Sequence, residues 1–114
     1  MWIVCQHGFF NIVEQTGDRV KGLLTIKARN RDDLNWIRGE IDTSEIEESE
    51  TADYRFRVKA DRLNVINLTT TILYQINYPK TKPKLAERHP ERNGIYFRVW
   101  DDLCAIQELD DGAA

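Results

Sequence analysis

The chain has 114 residues, 41% hydrophobic and 31% charged, with a net charge of −3. That length suits a single domain with a modest core, and the mild acidity speaks against a surface coated with bases for nucleic acid. No apolar run approaches the roughly 20 residues that cross a bilayer, and "MWIVCQHGFF" lacks the basic start and small-residue cleavage site of a signal peptide, so a cytoplasmic location is expected.

Residues 2 to 14 read as two strands reversing around "QHG", where Gly8 supplies a permissive backbone, and "QTGD" at 15–18 is a second turn signal. In "RVKGLLTIKAR", Val20, Leu24, Ile26 and Ala28 share one parity and Arg19, Lys21, Lys27 and Arg29 the other, the period of a half-buried strand. "NRDDLNWIRG" then carries helix signals: Asn30 as N-cap, Asp32 and Asp33 at the positive end of the dipole, Arg38 in the last turn, and Leu34 and Ile37 as core contacts. From Glu40 to Asp53 there are seven acids and no base, which reads as an acidic, mobile loop over 40–53.

"DYRFRVKA" alternates again, with Tyr54, Phe56 and Val58 inward and Arg55, Arg57 and Lys59 outward. Asp61 caps a predicted helix to about Tyr78, its core stripe being Leu63, Ile66, Leu73 and Ile76, widened by Val65, Leu68 and Ile72. Residues 79–93 hold all three prolines and the bases Lys80, Lys82, Lys84, Arg88 and Arg92, a solvated connector that adds to a basic surface. Beyond Gly94 the spacing of Tyr96, Val99, Trp100, Leu103 and Ile106 favours a helix over a strand at 95–100, and 110–114 reads as a frayed tail. The expected fold is an α+β two-layer sandwich: a mainly antiparallel four-stranded sheet with helices on one face, in the order β-β-β-α-β-α-α, forming one domain over 1–109.

Little in the chain is built for catalysis. Ser44 and Ser49 lie in the acidic stretch with no histidine beside them, and there is no phosphate-binding glycine pattern. Cys5 and Cys104 have no metal spacing, and with only His7 and His89 no metal site or cofactor is expected. Cys5 and His7, two residues apart, form the weak candidate for a thiolate–imidazolium pair. What remains is electrostatic: Lys27, Arg29, Arg55, Arg57 and Lys59 belong to the outward parity of two strands. The first reading is therefore a non-catalytic module whose basic sheet face engages an acidic protein or a second copy of the chain. The alternative is a nucleic-acid binder using that face and the 80–92 segment, and the third is a small cysteine-dependent enzyme.

The Met1–Trp2 start, "GFF" at 8–10, "KARNRDDL" at 27–34, "DYRFR" at 53–57, "INY" at 76–78 and "YFRVW" at 96–100 resemble a group of small uncharacterised bacterial proteins. In that group a Phe-Lys pair often follows the tyrosine, where this chain has "PKTKPK". The resemblance spans most of the chain and implies a single α+β domain, without an activity to carry over.

Overall fold

In the computed structural model, which describes residues 1–76 and 87–112, the chain forms a five-stranded antiparallel sheet with two of its helices packed against one side. β1 (Trp2–Cys5) and β2 (Gly8–Val13) make a hairpin through Gln6 and His7. A four-residue helix, α1 (Asp18–Lys21), precedes β3 (Leu23–Ala28). Then come α2 (Arg31–Glu40), the short strand β4 (Glu47–Glu48), β5 (Phe56–Asp61) and α3 (Arg62–Tyr74). A 3-10 turn (Pro90–Arg92) leads into α4 (Asn93–Leu103) and α5 (Ala105–Gly112). The strand order is β1-β2-β3-β5-β4.

The alternation expected of the strands places Ile3, Phe10, Ile12, Leu24, Ile26, Ala28, Phe56, Val58 and Ala60 on one face of the sheet, against Leu34 and Ile37 of α2 and Val65, Leu68 and Ile72 of α3. The helix caps follow the sequence: the Asn30 side chain accepts from the Asp32 N–H and Asp61 from the Leu63 N–H, both at 2.9 Å. In α3 the hydroxyls of Thr69, Thr70 and Thr71 turn back onto the carbonyls of Val65, Ile66 and Asn67.

Four expectations are corrected. Arg19 and Lys21 lie in α1, because "QTGD" reverses the chain into a helical turn before the strand begins. The acidic stretch supplies a fifth strand: residues 44–49 run along β5, with Ser44 N–H donating to Lys59 O and Ser49 N–H to Arg55 O, both at 2.8 Å, while Ile41 and Ile46 pack on the core. In α3 the stripe is inverted: Val65, Leu68 and Ile72 are buried, whereas Leu63, Ile66, Leu73 and Ile76 are exposed. Tyr54 precedes β5 and is buried outside the core cluster, against Phe9 on the other side of the sheet. The C-terminal stretch is helical, as its spacing predicts, but divides at Cys104 and runs to Gly112. Lys80, Lys82 and Lys84 lie outside the described residues.

Candidate functional site

Opposite residues in an antiparallel pair share a face, so the register identifies the side of the sheet turned away from α2 and α3. Trp2 lies opposite Asn11, Asn11 opposite Lys27, and Lys27 opposite Arg57, which in turn faces Glu47 of β4. One further step along the strands places Val4 opposite Phe9. Two like charges, Lys27 and Arg57, thus stand directly across from each other at the middle of this face, an arrangement that disfavours the sheet slightly unless an anion lies nearby.

Aromatic rings continue the row. Trp2 meets Phe9 edge-on at 6.0 Å between centroids, Phe9 lies 6.3 Å from Tyr54, and the Arg29 guanidinium sits 4.7 Å above the Tyr54 ring. Trp2 is 63% exposed. The Arg57 guanidinium is steadied by the Tyr54 carbonyl at 3.4 Å. Among the described residues, no carboxylate forms an ion pair with Lys27, Arg29 or Arg57. Extending the alternation of Phe56 and Val58 back to Tyr54, which precedes β5, hid this aromatic row from the sequence.

The other two predicted cations of the sheet face, Arg55 and Lys59, are occupied within the chain. Arg55 bonds Glu48 at 3.0 Å and lies 3.9 Å from Glu50, and Glu48 also takes Arg31 at 3.1 Å. The Lys59 ammonium is drawn to the corner beneath α1, where it donates to Asp18 at 2.5 Å, Thr25 at 2.9 Å and Gln15 at 3.4 Å. Burial works against ionisation of Asp18, but the Lys59 ammonium, the Gln15 N–H and the Thr25 hydroxyl outweigh it and hold the carboxyl at about 2.

Arg92 is an internal tie. Its Nη1 donates to Asp33 Oδ2 at 2.8 Å and to the Tyr96 hydroxyl at 3.2 Å. Burial opposes the charge on Arg92, yet Asp33 and Tyr96 more than compensate and raise its pKa. Asp33 is 2% exposed and also accepts the Phe9 N–H at 3.1 Å, while its Oδ1 has no hydrogen-bond partner among the described residues. The sequence signal for Asp33, an acid in a first helical turn, is the same one that fits its exposed neighbour Asp32.

Cys5 and His7 do not assemble an activated thiol. Burial pushes the Cys5 thiol up, and the Asp33 carboxylate adds to that, against the lowering effect of the His7 and Gly8 N–H groups. The His7 ring instead stacks flat on Trp36 at 3.9 Å, with Nε2 2.9 Å from Gln75 Oε1 and Nδ1 3.5 Å from Arg88. Among the described residues no cluster of His, Cys, Asp and Glu is arranged to hold a metal ion, and no helix is long and apolar enough to cross a membrane. No family model, curated protein or solved structure matches the chain.

Proposed function

We propose that the chain is a non-catalytic binding module of the cytoplasm that receives an acidic, partly apolar protein segment on the outer sheet face. The observation that carries this reading is the Lys27–Arg57 pair, in register on the outer sheet face beside the Trp2 and Phe9 rings. An acidic side chain entering between the two cations relieves their repulsion, and apolar side chains of the same segment gain the aromatic floor. The chain's own β4 supports the idea, since Glu47 already lies next to Arg57 along the rim of that face. With Arg55 and Lys59 committed internally, the surface offers few cations, which suits a short acidic peptide better than a polyphosphate backbone. The two free cysteines, Cys5 and Cys104, are in keeping with a reducing compartment.

A second reading, single-stranded nucleic acid, is favoured by one observation: the exposed Trp2 ring in contact with Phe9 offers a surface on which a base can stack. Fluorescence anisotropy separates the two. A labelled peptide alternating glutamate with aromatic residues is expected to bind, and the K27E/R57E variant to weaken it by about tenfold or more, equal to about 1.4 kcal/mol. Binding of a labelled oligonucleotide in its place, falling steeply with added salt, transfers the site to the second reading. Absence of binding to either, or binding indifferent to K27E/R57E, removes this face from consideration.

A further inference from the structure

In a sequence 31% charged, two stretches have no Asp, Glu, Lys or Arg: Met1–Val13, which makes β1 and β2, and Leu63–Ile76, which makes nearly all of α3. They meet along one border of the molecule. There β1 and the end of α3 flank an open cleft of about 370 Å³, with Trp2, Ile3 and Val4 on one wall and Ile72, Leu73 and Ile76 on the other.

β1 is an edge strand. Met1 and Ile12 exchange both backbone bonds, at 2.7 and 2.8 Å. Alternation along the ladder then makes Ile3 with Phe10 and Cys5 with Gly8 the bonded pairs, so Trp2 and Val4 turn their N–H and C=O groups away from β2. Trp2–Cys5 itself carries neither charge nor proline. The opposite edge is protected, because β4 consists of Glu47 and Glu48. On α3, Leu63, Ile66 and Leu73 are exposed along the same uncharged flank, Leu73 at 62%.

We propose that β1 pairs antiparallel with β1 of a second copy about a two-fold axis near Ile3, joining the two sheets and bringing the uncharged flanks of α3 together across the same axis. The chemistry selects this occupant. A charged strand would desolvate its charges against Leu73 and Ile76 without a counter-ion, whereas β1 is itself four uncharged apolar residues. A two-fold also makes the contact self-complementary, with Trp2 of one copy facing Val4 of the other. This edge adjoins the Lys27–Arg57 face and shares Trp2 with it, so the dimer would join the two outer faces into one.

Sedimentation velocity tests the pairing on the full chain, with circular dichroism as the check on folding. Val4→Pro removes an N–H directed away from β2, so the hairpin keeps its own ladder while the docking edge loses a donor. Leu73→Glu places a charge on the exposed flank of α3. The wild type is expected to dimerise at micromolar concentration, and each variant to weaken association by about tenfold or more. If Val4→Pro unfolds the hairpin, Leu73→Glu decides alone. A wild type that stays monomeric overturns the proposal, including one that captures a synthetic uncharged peptide on this edge. So does a dimer indifferent to both substitutions, or one broken only by Trp100→Ala on α4.

Discussion

Lys59 and Asp18 illustrate what a single side chain contributes here. Asp18 is 2% exposed and accepts from Lys59, Thr25 and the Gln15 N–H, binding α1 to β3 and β5 across 41 residues of sequence. Replacing Asp18 with Asn is expected to lower unfolding free energy by about 2 kcal/mol at neutral pH, because hydrogen bonds to a charged acceptor are lost. The pH dependence has a definite sign. The folded carboxyl is held at about 2 against an ordinary value of 3.8, so the unfolded chain takes up a proton first as pH falls. The difference between wild type and D18N, measured by denaturant titration, should be full above about pH 4 and shrink towards pH 2. None of this was legible in the sequence. "QTGD" was readable as a turn, but alternation alone could assign Lys59 only to an outward face and could not foresee the carboxylate there. The same limit applies to Arg55, which binds Glu48 from the stretch read as a mobile loop.

At the level of elements, the β1–β2 hairpin was readable because its apolar residues alternate and Gly8 marks its turn. The structure adds why that residue is glycine. Its φ is 148°, and a Cβ built there would stand 2.5 Å from Asp33 Cγ, a group fixed by Arg92 and the Phe9 N–H. Gly8→Ala is therefore expected to cost about 2–3 kcal/mol, read as a lowered denaturant midpoint with little change in slope. The rotation of α3 was illegible for a different reason. Apolar residues occupy so much of its circumference that spacing could not choose between Val65, Leu68 and Ile72 and the flank of Leu63, Ile66 and Leu73. That ambiguity is itself informative, since a helix apolar on both sides has one side left over once the sheet is covered.

For the whole molecule, the Arg92–Asp33 pair fastens the C-terminal helices to the sheet. No residue of α4 is buried, and Tyr96, which also bonds Arg92, is only half-buried. Arg92→Ala leaves Asp33 buried without its cation, a loss of about 3 kcal/mol or more. It should also raise amide exchange throughout 93–112 before β2, β3 and β5 are affected, a gradient measurable by hydrogen–deuterium mass spectrometry. Equal loosening everywhere would instead mean that Arg92 acts only on global stability. The α+β class and the antiparallel sheet followed from periodicity, whereas this long-range tie did not, because Arg92 sits among bases that look alike in sequence.

The three consecutive threonines of α3 bear on how that helix is perceived from outside. With each hydroxyl spent on a carbonyl one turn back, the group left to meet a neighbour is a methyl. Thr70, exposed to water one turn before Leu73, therefore behaves more like valine than its formula implies, and the oily strip beside β1 is broader than a count of leucines and isoleucines would give.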